Sequence, residues 1–140
     1  YKCYMIDLTA ALCLEQMKKL PKNLEWRRYI QSKYNKELSN KVERPPHSET
    51  VQYYCAKVSP EYRADLIDYL ASKNIHTSVH FKPLHKYEII KNNMTHKDKK
   101  FPIADREWLK LITLPVHPAM SEEDIDYVIY WVNKYFENEI

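Results

Sequence analysis

The stretch TVQYYCAKVSPEYRADLIDYLASKNIHTSVHF, residues 50–81, decides the fold class. Thr50–Val58 is rich in β-branched and aromatic residues, which suit a pleated surface, and predicts a strand. Ser59-Pro60 then reads as a helix start. Serine supplies an N-cap oxygen, and proline fits the first helical position, where no N–H is needed. Tyr62, Leu66 and Leu70 mark one face of that helix. Asn74 stands where it should stop, because asparagine best tolerates the left-handed backbone of a helix end among non-glycine residues. Ile75–Phe81 reads as a second strand, closed by Pro83, which cannot donate to a ladder.

Outward from this unit the pattern is mostly helical. From Met5 to about Lys36, Met5, Leu8 and Leu12 fall at helical spacing, and Cys13, Met17 and Leu20 continue a shifted stripe. Asp7 is placed to cap the start, and Pro21 marks a break or kink. A second helix follows over Leu24–Leu38, with Trp26, Tyr29 or Ile30, and Tyr34 turned inward. Ser39–Glu49, with Pro45-Pro46, reads as an exposed loop. Downstream, a short helix is expected over Tyr87–Asn92, another over Phe101–Lys110, and a third strand over Leu111–Leu114, closed by Pro115. Ser121–Phe136 is the clearest helix. Ser121 and Asp124 resemble a capping box, and Ile125, Val128, Ile129, Val132 and Phe136 form a stripe suited to packing on a sheet. The order predicts an α+β fold, a small mixed or antiparallel sheet covered by helices.

Composition narrows the function. The 140 residues are 44 % apolar and 29 % charged, enough to bury a core. A net charge of +3 is too small to predict a polyanion partner, and no stretch is long and apolar enough for a membrane span. The chain has no glycine, where average usage would give about ten. A P-loop or dinucleotide fingerprint within it is therefore excluded. Cys3, Cys13 and Cys55 make neither a zinc pattern nor a redox pair, and read as buried reduced thiols of a cytosolic protein. The basic run Lys91–Lys100 holds no stacking aromatic and reads as a solvated loop rather than a nucleic-acid site.

The densest candidate site is Thr77–His85. A histidine such as His80, at a strand end before a proline turn, projects into a cleft as a donor to an anionic group or as an acid or base. The alternative is a satisfied, half-buried histidine. His76 and His80 share a strand face, but no Cys, Asp or Glu completes a metal shell around them and His85 nearby in sequence. None of the cysteines lies in a nucleophile motif.

Four segments together carry a family resemblance. They are Tyr4-Met5-Ile6-Asp7-Leu8-Thr9-Ala10-Ala11-Leu12 with Gln16-Met17-Lys18-Lys19-Leu20; Arg27-Arg28 with Tyr34 and Leu38; Leu66 to His85; and Leu114-Pro115-Val116-His117-Pro118 with Ser121-Glu122-Glu123-Asp124. In order and spacing they resemble the C-terminal part of the DegT-type (DegT/DnrJ/StrS) sugar aminotransferases. These are pyridoxal 5'-phosphate enzymes of the aspartate-aminotransferase (type I) fold. The resemblance implies connecting helices over 1–38 and the C-terminal small domain over 39–140. The large cofactor-binding domain, with the Schiff-base lysine, would lie upstream, and a first residue of Tyr rather than Met agrees with that expectation.

The resemblance also implies that the parent is a cytoplasmic homodimer. It would transfer an amino group, from glutamate, to a keto sugar linked to a nucleotide, in polysaccharide biosynthesis. No catalytic residue falls within these 140 positions, which carry no Ser-x-x-Lys, so the isolated chain is expected to be inactive. Carried over by position, His80 matches a substrate-contacting histidine and Phe81 falls at the family tyrosine beside it. Tyr4 falls at an arginine near substrate phosphates, and Lys2 at an asparagine near the cofactor phosphate. Phe81 lacks the hydroxyl, Tyr4 lacks the cationic fork, and Lys82 restores some positive charge. The alternative reading is a non-catalytic interaction module of the same fold.

Overall fold

The computed structural model describes residues 4–93 and 100–137. Its elements run α1 (Asp7–Glu37), β1 (Tyr54–Lys57), α2 (Pro60–Ser72), a 3-10 turn (Leu84–Lys86), α3 (Glu88–Asn93), α4 (Pro102–Trp108), β2 (Leu111–Leu114) and α5 (Glu122–Glu137). Strands β1 and β2 pair antiparallel, from Tyr54 opposite Leu114 to Lys57 opposite Leu111. Single bridges extend both edges, Glu43 to Lys57 and Ser78 to Thr113.

The expected helix-covered small sheet is present. Side chains alternate along the strands. Tyr54, Ala56, Ile112 and Leu114 face a core shared with Ile30 and Tyr34 of α1, Leu66 and Leu70 of α2, and Ile125, Val128 and Val132 of α5. Cys55 and Thr113 take the other face. The α5 stripe is buried at every expected position, and Tyr135 joins it. Its capping box forms in both directions. The Ser121 amide donates to Asp124 Oδ2 (2.8 Å), and the Asp124 amide donates to Ser121 Oγ (3.2 Å). Asn74 takes φ 58°, and the Ile75 amide reaches back to the Leu70 carbonyl (2.9 Å), closing α2.

Several expectations are corrected. Pro21 does not break α1, which runs continuously as one helix instead of two. Proline costs one backbone bond there, and the position is exposed, so water can meet the carbonyl left without a donor. Ile6, not Asp7, is the residue before the helix, and Asp7 stands in its first turn. Ser59 precedes α2 without a side-chain cap bond; its carbonyl accepts the Tyr62 amide (3.0 Å) instead.

The two predicted strands over 50–58 and 75–81 shrink to Tyr54–Lys57 and the single bridge at Ser78. Their partner β2 is only four residues long and ends at Pro115, so no longer ladder is available. The apolar stripe on the first half of α1 faces solvent: Met5, Leu8, Leu12, Met17 and Leu20 are all exposed. Cys13 is exposed with it, Cys55 is half-buried, and Cys3 lies outside the described residues. Most of the basic run after Lys91 also lies outside them.

Candidate functional site

Antiparallel pairing sets Cys55 of β1 directly opposite Thr113 of β2, on the sheet face away from the core. The segment after α2 adds the bridge from Ser78 to Thr113, with backbone bonds in both directions (2.7 and 3.1 Å). Two residues further on, His80 lies over this face. Its Nδ1 is 3.0 Å from Thr113 Oγ1, and Thr113 Oγ1 is 3.4 Å from Cys55 Sγ. The His80–Phe81 peptide is cis.

Three rings form a shelf here. Tyr53, just before β1, stacks on the His80 imidazole with centroids 4.3 Å apart and planes at 26°. The Phe81 ring stands edge-on to both, at 4.6 Å from His80 and 6.4 Å from Tyr53. Phe81 is 67 % exposed, so most of this apolar edge is open to a ligand. Beside the shelf lies a groove of about 330 Å³, lined by Arg27, Gln52, His76, Ser78, Thr113 and Val116 as well as His80 and Tyr53.

Helix α1 holds the groove together from behind. Arg27 Nη1 donates to the carbonyls of Val51 (3.2 Å), Gln52 (3.1 Å) and Val116 (3.2 Å). These carbonyls belong to the chain entering β1 and the chain leaving β2, the two walls of the groove. Tyr34 Oη donates to the Pro115 carbonyl (2.9 Å), and Trp26 Nε1 to that of Met120 (3.0 Å). Burial pushes the Tyr34 hydroxyl well above the usual phenol range and Tyr54 up to about 12, so both remain neutral donors.

The other predicted positions are dispersed. Lys82 turns away from the groove and sets its ammonium over the Tyr87 ring (5.1 Å). Tyr4 precedes α1 and is 81 % exposed. At 1.5 Å per residue, the helix separates it from Arg27 by roughly 30 Å, so one chain does not bring Tyr4 and His80 together. Lys2 lies outside the described residues. His85 serves a structural contact: its Nε2 bonds Asp105 Oδ1 (2.8 Å) and its ring lies against Phe101. Lys86 and, after it, His85 hold the Asp105 carboxyl below its usual range by donating to it. Among the described residues, no group of three His, Cys, Asp or Glu side chains could hold a metal, and no helix is long and apolar enough to cross a membrane. Sequence reasoning missed Arg27, Tyr53 and Thr113 as site residues. Arg27 stood out only as part of a matched motif.

Residues 1–133 match the model of the DegT/DnrJ/EryC1/StrS aminotransferase family. The chain is 30 % identical over 141 aligned residues to a dTDP-4-dehydro-2,3,6-trideoxy-D-glucose 4-aminotransferase of Saccharopolyspora spinosa, covering 96 % of this chain and 35 % of that protein. It is 31 % identical to the spore coat polysaccharide biosynthesis protein SpsC of Bacillus subtilis, covering 92 % of this chain and 36 % of that one. Among solved structures, the PLP-form of Spr1654 of Streptococcus pneumoniae superposes with a TM-score of 0.87 at 29 % identity, covering all of this chain and 38 % of its own. The chain thus spans little more than a third of the length of the relatives it matches.

Proposed function

Because the chain belongs to the DegT/DnrJ/EryC1/StrS aminotransferase family, we propose that it is the small-domain part of a sugar aminotransferase whose groove at His80 receives a nucleotide-linked keto sugar. Residues 1–38 then connect to the large domain, and residues 39–140 form the small one. The observation that carries the reading is the His80 shelf: one imidazole anchored at Nδ1, flanked by two rings, beside an open polar groove. Aromatic faces suit a base or sugar ring, and an imidazole suits an oxygen of the same ligand. The relative that acts on a dTDP-linked dehydro sugar supports that substrate class.

Pyridoxal 5'-phosphate does not fit the described residues alone. A phosphate needs unspent donors, whereas Arg27 is committed to three carbonyls and Lys82 to a ring. We assign the cofactor to the large domain.

The same reading accounts for α1. A stripe of exposed Leu8, Leu12 and Met17 is matched by the large-domain length that relatives carry and this chain does not. Tyr4 lies too far along α1 to serve the groove of its own chain. We place it at the groove of a second copy, which makes the working enzyme a homodimer, and we assign that enzyme glutamate as amino donor and a cytoplasmic location.

The test joins this chain to the upstream portion of the protein. The joined protein with cofactor should show the visible absorbance of a lysine-bound cofactor and aminate a keto sugar nucleotide, while the 140-residue chain alone shows neither. His80→Ala should raise KM roughly 10-fold, the loss of one ligand hydrogen bond with its stacking partner. A joined protein that stays colourless refutes the enzyme reading. An active one with unchanged KM in His80→Ala refutes the groove.

A further inference from the structure

We propose that Thr113 is a positioning residue that fixes the neutral His80 ring as an Nε2–H donor, so that His80 presents a proton to an oxygen of the ligand instead of accepting one. The argument is a count of protons. Thr113 is buried, and its hydroxyl has two neighbours among the described residues, Cys55 Sγ at 3.4 Å and His80 Nδ1 at 3.0 Å. A hydroxyl has one hydrogen to give.

If that hydrogen goes to Nδ1, the oxygen stays available to the thiol, and every group uses its better capacity: S–H to Oγ1, O–H to Nδ1. If instead Nδ1 carried the proton and donated to Oγ1, the hydroxyl would have to point at sulfur, a weak acceptor. The first arrangement makes the stronger bond and leaves Nε2 protonated.

Neighbours hold the Nδ1 side of this pair and leave Nε2 facing the groove. Pairing with Ser78 and register with Cys55 fix the Thr113 backbone, and a buried β-branched side chain has few χ1 wells to choose from. The Tyr53 ring stacks on one face of the imidazole and restrains its plane. The tautomer assignment stands on this geometry alone. Its consequence for the ligand rests on the proposed function: the group met by Nε2 is a carbonyl, hydroxyl or phosphate oxygen of the sugar nucleotide.

Two readouts separate these layers. In the full chain labelled with 15N-histidine, long-range 1H–15N spectra at about pH 8, where histidine is neutral, should show His80 protonated at Nε2 with Nδ1 in the position of a hydrogen-bonded acceptor. Thr113→Val should move Nδ1 to the position of an unbonded nitrogen, while Thr113→Ser and Cys55→Ala keep it. An Nδ1–H tautomer in the parent chain overturns the proposal, as does a Thr113→Val spectrum identical to the parent's. If Thr113→Val does not fold, the parent tautomer and its retention in Thr113→Ser decide. In the joined enzyme, Thr113→Val should raise KM roughly 2- to 10-fold with kcat little changed, and Thr113→Ser should restore it. The expected tautomer with an unmoved KM would uphold the positioning and refute the substrate groove.

Discussion

Arg27 offers the sharpest stability prediction, because one nitrogen joins both walls of the groove. Arg27→Met keeps most of the apolar stem and removes the donor. Hydrogen bonds from a charged donor contribute about 1.5–3 kcal/mol each. One nitrogen has two hydrogens for three carbonyls, and the bond to Gln52 is exposed, so between one and two full bonds are lost. The expected loss is about 2–4 kcal/mol. For a chain of this length, at roughly 3–4 °C per kcal/mol, that lowers Tm by roughly 6–16 °C. Urea unfolding followed by circular dichroism, with a thermal melt beside it, gives both numbers. Arg27→Lys should recover only part, since a single ammonium cannot reproduce the planar fork. A methionine variant within about 0.5 kcal/mol of the parent would show that water replaces the guanidinium at no cost, and the clamp would be refuted.

Glu107 predicts an acid limb. Lys57, Arg106 and Lys110 hold its carboxyl down to about 2, from an ordinary 4.5. A carboxyl depressed on folding contributes stability that is complete above its unfolded value and is lost as pH falls through the folded one. Urea unfolding should therefore show the parent ahead of Glu107→Gln near pH 6, with the gap closing between about 4.5 and 2 and shrinking in high salt; a gap unchanged at low pH would contradict this. Leu70→Ala, at a fully buried position between α2 and the core, should cost about 2–5 kcal/mol in the same assay. Leu12→Glu with Met17→Glu should leave this chain's stability within about 0.5 kcal/mol, because both positions are exposed here. The same pair should impair soluble expression of the joined enzyme, and a fully active joined variant would remove the large domain from that face.

What was legible in the sequence was whatever depends on neighbours along the chain. The α5 stripe, its capping box and the left-handed Asn74 all follow from spacings of a few residues, and all are present. The strands expected over 50–58 and 75–81 exceed those observed because β-propensity counts side chains and not partners. Pairing stops where β2 stops, and β2 has four residues before Pro115. Pro21 makes no break for a related reason: a missing donor breaks a helix only where nothing else can satisfy the freed carbonyl. His80 could be singled out from its place before a proline turn. Thr113 could not, since it lies 33 residues away and meets His80 only through the bridge to Ser78. Arg27 could not either, because its partners are backbone carbonyls, which leave no mark in side-chain patterns.

The two halves of α1 do different work, and the division follows from what each can bury. From Trp26 onward the helix contributes Ile30 and Tyr34 to the core and sends Arg27, Trp26 and Tyr34 to the loops around β2. Before Pro21 it buries almost nothing, although it carries as many large apolar residues. A lone helix of that composition gains too little from its own hydrogen bonds to be worth its exposed leucines. The apolar stripe is therefore best explained as one side of an interface whose other side is not in these residues.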